Sequence, residues 1–395
     1  MIKKLIAFSI AGAMLWLSPA AGAAIAENQL TIWVHSDKGY DGIARVGERY
    51  TKDTGVKVTV AHPDQVEVRF QQDAAAGNGP DIFLWAHDRF GELVRSGLLA
   101  PVEPSDGEKA KFADFARDAM TVGGKIYGYP VSIEAIGLVC NRKLVPDAPD
   151  NWEDFIELDD ELQKQGAHAI LWDYTTPYYS YPLISAKGGY AFRKEADGSY
   201  DVSDTGIANQ GAKDGLRFLV DLITARHLKY GADYSSMEQE FTGGRVGCIL
   251  AGPWTLSGYE DAGIDCSFNH LPKLGGKRSR PFVGILGFTI SATSPNKKLA
   301  ADFLENYLLT DEGLMAVNED KPIGASALKS FQKMLGSDPV VAVTLENARS
   351  GDLMPSVPEM SRFWSSFQTA LKTATTDRQS VDDALDTAAR RIVKK

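Results

Sequence analysis

The chain has few of the residues that build metal sites, disulfide frameworks or nucleic-acid surfaces. Its 395 residues include three cysteines and six histidines, and 42 Lys and Arg are outnumbered by 52 Asp and Glu, for a net charge of −10. This acidic balance argues against sequence-independent binding to nucleic acid, which requires a basic surface. The scattered histidines and cysteines match no zinc spacing, so we expect neither a metal nor a cofactor.

The chain also lacks the common catalytic signatures. It contains no Gly-x-Ser-x-Gly, His-Glu-x-x-His, P-loop or Gly-x-Gly-x-x-Gly pattern. The stretch "LWAHDRF" (84–90) sets His87 beside Asp88, but neighbouring residues of a strand point to opposite faces and need not pair. We therefore interpret His87 as a packed or hydrogen-bonded histidine rather than a general base.

The N-terminus has the order of a secretory signal: the charged "MIKK", an apolar run, and small residues that end at Ala26. The apolar run is short and lacks the flanks of a membrane span. We predict a signal peptide over residues 1–26, cleaved after Ala26. No cysteine stands at the cleavage site, so no lipid anchor is expected. The mature protein is expected in a bacterial periplasm.

The three cysteines, Cys140, Cys248 and Cys266, each lie in an apolar, strand-like run. An odd number in an exported chain means at least one free thiol or an intermolecular bond. We interpret them as buried free thiols, and a bridge between Cys248 and Cys266 is the alternative.

Strand-like and helix-like segments alternate in the first third of the chain. "QLTIWVHSD", "VKVTVAHP" and "DIFLWA" read as strands, and the segments between them have helical spacing and end at glycines. This order predicts an α/β fold with a largely parallel sheet. Ligands of such sheets bind beyond the carboxyl ends of the strands, which places Asp37 and Asp88 near a common crevice.

Several stretches combine an aromatic residue with a charged or amide group. Such mixtures suit carbohydrate, because aromatic faces pack on sugar rings and ionised groups bind hydroxyls strongly. Glu134 stands out because it lies within an apolar run, where a carboxylate needs a partner or a ligand. The stretches are "HSDKGY" (35–40), "WAHDRF" (85–90), "SIEAIG" (132–137), "TPYYSY" (176–181), "AGPWTL" (251–256) and "SRFWSSF" (361–367).

Longer motifs, among them "GNGPDIFLWAHDRFG", "SPNKKLAADFLENYLLTDEGLMAVN" and "MPSVPEMSRFW", resemble the periplasmic maltose/maltodextrin-binding family of ABC-transporter solute-binding proteins. The resemblance runs from about residue 28 to the end. It implies a two-lobed α/β fold whose discontinuous lobes, each a mixed sheet flanked by helices, enclose a ligand cleft. The implied lobes are 27–132 plus 288–333 and 133–287 plus 334–395. Hinge crossings are implied near 133–136, 283–287 and 334–339.

The same resemblance carries sugar-contact roles over to matching positions. These positions are Asp37, Lys38, Glu67, Trp85, Asp88, Arg89, Glu134, Pro177, Tyr178, Tyr179, Tyr234, Trp254, Met354 and Trp364. Four positions depart from the family pattern: Val68 and Thr176 replace glutamates, Leu256 replaces a tryptophan and Gln368 replaces an arginine. The departures remove two carboxylates and a guanidinium from the polar rim but leave the aromatic platforms.

The resemblance implies a monomeric, non-enzymatic protein that captures maltose or maltodextrins by lobe closure and presents them to a membrane ABC permease. Whether a chemoreceptor also recognises the closed form is left open. Two alternatives remain at this point. One is a binder of another disaccharide, and the other is a secreted glycosidase that uses two carboxylates. Candidates for such a pair are Asp37, Glu67, Asp88 and Glu134.

Overall fold

The computed structural model describes residues 25–196 and 198–394. The predicted signal peptide lies outside these residues except for its last two positions. The strands are β1 Gln29–Trp33, β2 Lys57–Ala61, β3 Ile82–Ala86, β4 Thr121–Val122, β5 Lys125–Ile126, β6 Tyr129–Ala135, β7 Gly137–Asn141, β8 His168–Leu171, β9 Arg193–Lys194, β10 Tyr200–Asp201, β11 Val246–Ala251, β12 Cys266–Asn269, β13 Lys273–Leu274, β14 Lys277–Arg278, β15 Phe282–Ile290, β16 Ala325–Ser326 and β17 Asp352–Leu353.

Helices connect and cover these strands. They are α1 Tyr40–Thr54, α2 Val66–Ala75, α3 Phe90–Arg95, α4 Asp106–Ala110, α5 Asp114–Ala119, α6 Asp154–Gln163, α7 Pro177–Ala186, α8 Gln210–Thr224, α9 Tyr234–Thr242, α10 Leu256–Asp261, α11 Lys297–Phe303, α12 Asp311–Asp320, α13 Lys329–Met334, α14 Pro339–Ser350, α15 Met360–Thr375 and α16 Val381–Ile392. Short 3-10 turns at His87–Arg89 and Pro253–Thr255 follow β3 and β11, and a π-helical turn at Leu304–Leu308 follows α11.

The first elements show how the chain pattern sets local structure. Helix α1 buries Ile43, Val46 and Tyr50 on one face, at the spacing of a helix that packs on a sheet. It ends where Gly55 takes a left-handed conformation with φ 78°, which a residue without Cβ adopts at little cost. Strand β1 then pairs in parallel with both β2 and β3. The predicted alternation of strands and helices is confirmed.

The larger sheet has the strand order β16-β6-β15-β3-β1-β2, with β17 paired to β15. Strand β15 runs antiparallel to both β3 and β6, so the sheet is mixed, as the family resemblance implied, and not largely parallel. Leu30 and Ile32 of β1 are fully buried together with Phe303 from α11. This core holds the carboxyl ends of β1 and β3 in place.

The smaller sheet has the order β12-β7-β11-β8 and belongs to a separate buried core that contains Trp152 and Trp172. The chain passes from one sheet to the other at Ile136, the single residue between β6 and β7. The structure therefore has an α/β fold built on two sheets with a cleft between them.

The cysteine interpretation is wrong for two of the three thiols, because Cys140 and Cys248 form a disulfide. They lie on the adjacent antiparallel strands β7 and β11, where they are direct partners with Cα atoms 4.1 Å apart. Strand β12, which carries Cys266, pairs with the other edge of β7, so β7 separates Cys266 from Cys248. Cys266 is the free cysteine, and the alternative bridge is also wrong.

Two features are absent from the described ranges, 25–196 and 198–394. No helix there is both long enough and apolar enough to cross a membrane. No group of three or more histidine, cysteine or acidic residues there is arranged to hold a metal ion.

Candidate functional site

A cleft of about 630 Å³ brings together most of the residues that the sequence singled out. It is lined by all the predicted contact positions except Tyr179 and Tyr234. Tyr179 packs against Tyr178 with ring centroids 5.4 Å apart, and Tyr234 lies 6.0 Å from Tyr179. Tyr179 therefore packs behind a ring that lines the cleft, and Tyr234 packs against Tyr179 in turn.

Strand ends and turns position the lining side chains. Asp37 and Lys38 follow β1, and Asp88 and Arg89 occupy the 3-10 turn after β3. Trp254 occupies the corresponding turn after β11 of the smaller sheet. The cleft therefore lies beyond the carboxyl ends of strands from both sheets, as is usual for ligand sites in open α/β folds.

Lys38 lies at the centre of the cleft between carboxylates and an aromatic ring. Its Nζ is 2.7 Å from Oε1 of Glu134, 3.9 Å from Oδ2 of Asp37 and 4.6 Å from the centroid of Trp254. Burial lowers the pKa of Lys38, but Glu134 and Asp37 outweigh that effect and the pKa is raised. Lys38 is thus a fixed positive charge, and Glu134 has the partner that its apolar surroundings require.

Asp37 stays ionised at neutral pH. Burial raises its pKa, but Lys38 and the Nδ1 of His35, 2.6 Å from its Oδ1, together lower the pKa below the usual value. The side chain keeps about a third of its surface exposed to the cleft. It can therefore accept hydrogen bonds from a ligand as a carboxylate.

Arg89 is held by two carboxylates and a hydroxyl. Its Nε is 2.6 Å from Oε1 of Glu67, and its Nη1 is 3.3 Å from Oε2 of Glu92 and 3.0 Å from Oγ of Ser361. Burial raises the pKa of Glu67 more than Arg89 lowers it. These contacts orient the guanidinium toward the cleft, where hydrogen-bond donors remain for a ligand.

Asp88 is 6% exposed and accepts a hydrogen bond from Nε1 of Trp364 at 2.9 Å. Burial raises the pKa of Asp88 to about 7, against the lowering effects of Arg89 and of the Trp364 hydrogen bond. The carboxyl group can thus gain or lose a proton near neutral pH. It joins the turn after β3 to α15 on the opposite side of the cleft.

His87 has a structural role, and it lies on the 3-10 turn that follows β3. Its Nδ1 accepts a hydrogen bond from the backbone N–H of Ile285 at 3.0 Å, so Nε2 carries the proton and donates to the carbonyl of Met354 at 2.8 Å. Burial lowers its pKa to about 4. A neutral imidazole with both nitrogens occupied cannot serve as a base, so the packed interpretation of His87 is confirmed.

The aromatic residues of the cleft present half-buried rings. Trp364 packs edge-on against Phe282, with centroids 5.1 Å apart, and Trp85 stacks on Phe83 at 5.8 Å. Tyr178 and Trp254 also keep part of their surface open to the cleft. Rings backed in this way offer flat apolar surfaces that lose little freedom when a ligand binds.

The four departures from the family pattern differ in position. Thr176 and Gln368 line the cleft, so their replacement changes its polar rim. Leu256 is buried, and Val68 is 48% exposed and lies outside the cleft. Thus two of the four substitutions affect the surface that a ligand would meet.

The cleft also contains residues that the sequence did not single out. Ser361 and Ser365 lie in a stretch already marked by its aromatics, so the helical spacing of that stretch could have indicated them. Gly284 and Leu286 carry no local signal, because their place in the cleft depends on how β15 crosses the larger sheet.

Comparison with known proteins gives consistent results. The model of a family described as bacterial extracellular solute-binding protein matches residues 36–315. A galactooligosaccharide-binding protein of Bacillus subtilis is 29% identical over 94% of this chain and 90% of its own length. A maltodextrin-binding protein of the same organism is 27% identical over 88% of this chain and 85% of its own. A maltose-binding periplasmic protein of Photorhabdus luminescens is 57% identical over 14% of this chain and 74% of its own length.

Proposed function

Because the chain belongs to the bacterial extracellular solute-binding protein family, we propose that it captures maltose or maltodextrins in the cleft and delivers them to an ABC transporter. As a member of that family it is a binding protein and not an enzyme. The glycosidase alternative is therefore dropped.

One observation carries the sugar proposal: aromatic rings and fixed charges line the same cleft. Tyr178, Trp254 and Trp364 line it together with Asp37 and Arg89. Sugar rings have apolar C–H faces and polar edges, so this pairing of rings with charge-assisted hydrogen bonds suits them. The predicted contact positions that line the cleft are proposed as direct contacts, and Tyr179 and Tyr234 as their supports.

We propose that binding closes two lobes, divided as the family resemblance implies. A ligand that touches both sides binds the closed state more tightly than the open one, so it shifts the population toward closure. The Trp364–Asp88 hydrogen bond and the contact of Lys38 with Trp254 already join residues of the two proposed lobes. A permease that recognises the closed form would then respond only to the loaded protein.

Location and partners follow from the same proposal. The signal peptide would direct the chain to the periplasm, where it would act as a monomer with a membrane permease. A chemoreceptor that recognises the closed form would be a further partner, and a pull-down with and without sugar would reveal it.

A second candidate ligand class is supported by the galactooligosaccharide-binding relative, which covers 94% of this chain. Thr176 and Gln368 also leave fewer charges in the cleft than a maltodextrin site of the family would have. Galactosides and glucans share ring faces and hydroxyl edges, so the cleft's chemistry suits both, and affinity must distinguish them.

Calorimetric titration with maltose, maltotriose, galactobiose, lactose, sucrose and cellobiose tests the proposal. We expect the α-glucans to bind most tightly, with micromolar affinity, about −8 kcal/mol. Tighter binding of galactobiose would replace maltodextrin by the second candidate. No binding of any of the six sugars would contradict a sugar function.

A further inference from the structure

A second cavity, of about 510 Å³, lies beside the cleft in the part of the fold that holds the smaller sheet. Its walls include Tyr181, Tyr190, Tyr200, Phe282, Arg280 and Asp352. None of the residues that line it lines the cleft. It is therefore a separate space. Its size is in the range of small-molecule sites.

One layer of side chains divides the two cavities. The ring of Phe282 stacks on Tyr181 at 3.6 Å on one side and packs against Trp364 of the cleft on the other. Leu353 of β17, the strand that pairs with β15, lines the second cavity, and the following residue, Met354, lines the cleft. Adjacent residues thus report on different spaces.

The polar groups in the second cavity are incompletely used. Oδ2 of Asp352 accepts a hydrogen bond from Tyr181 at 2.6 Å and lies 3.3 Å from Nη2 of Arg280. Arg280 and Asp352 keep 37% and 30% of their side-chain surface exposed, so both still present hydrogen-bonding atoms at the cavity wall.

Two tyrosines form preformed walls around these groups. The hydroxyl of Tyr190 donates to Oδ1 of Asp204 at 2.7 Å, and that of Tyr200 donates to the carbonyl of Leu353 at 3.2 Å. Both rings are partly exposed. They offer apolar surface that is already held in place, which lowers the ordering cost of binding.

We propose that this cavity is a second saccharide site, separate from the cleft, that binds a pyranose between Tyr190, Tyr200 and the Asp352–Arg280 pair. A neutral polyol suits the wall formed by Asp352 and Arg280, because their opposite charges cancel. The cavity is also lined by Lys194 and by Arg193, which is paired with Asp201 and Asp204. The carboxylate accepts hydroxyl protons and the guanidinium of Arg280 donates to a sugar oxygen. The proposal does not depend on which sugar the cleft prefers.

Methyl NMR with ¹³C-labelled leucine and methionine tests this proposal, since Leu353 and Met354 report on the two spaces separately. The probes are glucose, galactose and maltose, each added to millimolar concentration. We expect the Leu353 methyl groups to shift with a midpoint of their own, at higher sugar concentration than Met354. If no probe moves Leu353, or if it always moves at the Met354 midpoint, the second site does not exist.

The variant Asp352→Asn keeps the size of the side chain and an acceptor for Tyr181 but removes the charge. It should weaken the Leu353 phase about tenfold, the usual effect of one charge-assisted hydrogen bond, and leave the Met354 midpoint unchanged. Asp150→Asn, the matched loss of one exposed carboxylate outside both cavities, should change neither phase. Equal weakening of both phases by Asp352→Asn, or loss of the Leu353 phase in Asp150→Asn, would overturn the proposal. If the cleft does not bind sugar, the Met354 methyl group would not shift, whereas the Leu353 methyl groups would still respond.

Discussion

Side chains that follow β1 and β3 line one wall of the cleft with charge, whereas those of α7, α15 and the turn after β11 line the other with aromatic rings. On the charged wall, Lys38 is paired with Glu134 and Arg89 with Glu67. On the aromatic wall, Tyr178, Trp254 and Trp364 remain half-buried and open to the cleft. Binding a sugar must share or replace ion pairs on one wall but only covers rings on the other. We therefore expect the aromatic wall to supply most of the affinity and the charged wall most of the selectivity.

The largest effect is expected from removing a ring. Trp364→Ala or Trp254→Ala should weaken sugar binding by about 2–4 kcal/mol, because a buried aromatic contact is lost. Calorimetry of both variants measures this, with circular dichroism to check folding. Trp33→Ala, which removes a partly buried tryptophan outside the cleft, is the matched control and should bind normally. Unchanged affinity in both cleft variants would disprove the role given to the aromatic wall.

Removing one charge should have a smaller effect. Asp88→Asn should weaken binding by about 1–2 kcal/mol, since a charge-assisted hydrogen bond becomes a neutral one. Because the pKa of Asp88 is about 7 and the ionised form is the better acceptor, wild-type affinity should rise as the pH increases through 7 and then level off. The variant should lack this rise. The free energy of unfolding should change in the opposite direction and fall as the pH rises from about 4 to 7. The reason is that the Asp88 carboxyl group holds its proton more tightly in the folded than in the unfolded chain.

Restoring a charge separates positions that line the cleft from positions that only match the family pattern. Thr176→Glu places a carboxylate in the cleft and should strengthen α-glucan binding by about 1 kcal/mol. Val68→Glu restores the other missing glutamate outside the cleft and should leave affinity unchanged. Equal gains in the two variants, measured by calorimetry, would mean that overall charge rather than the cleft rim controls binding.

The smallest effect on affinity is expected at His87, which contacts neither wall's open surface. His87→Ala leaves Ile285 N–H and the Met354 carbonyl without partners, so the free energy of unfolding should fall by about 1–3 kcal/mol. The change in sugar affinity should be smaller than that of Asp88→Asn. Denaturant unfolding together with calorimetry separates the two quantities, and a collapse of binding in a folded variant would contradict the structural role.

The sequence predicted the charged wall better than the second cavity, because the residues of the charged wall lie in short stretches with a clear pattern. Asp37 and Asp88 follow strands whose pattern is clear, and the βα order places their ends at one edge of a sheet. Arg280 and Asp352 lie far apart in the chain, and only the pairing of β15 with β17 brings them together. Long-range pairing of this kind leaves no trace in a window of neighbouring residues.

Local patterns in the chain were enough to establish the α/β class, the first strands and helices, and the mixture of aromatic and charged groups that suits sugar. These follow from side-chain period and residue chemistry, which act over a few residues. The tertiary structure decided which residues meet. The order of strands around β7 paired Cys140 with Cys248 and left Cys266 free. The packing of α7 turned Tyr178 into the cleft and Tyr179 behind it, and the fold placed Val68 outside the cleft, because burial depends on the surfaces that surround an element as well as on its own pattern.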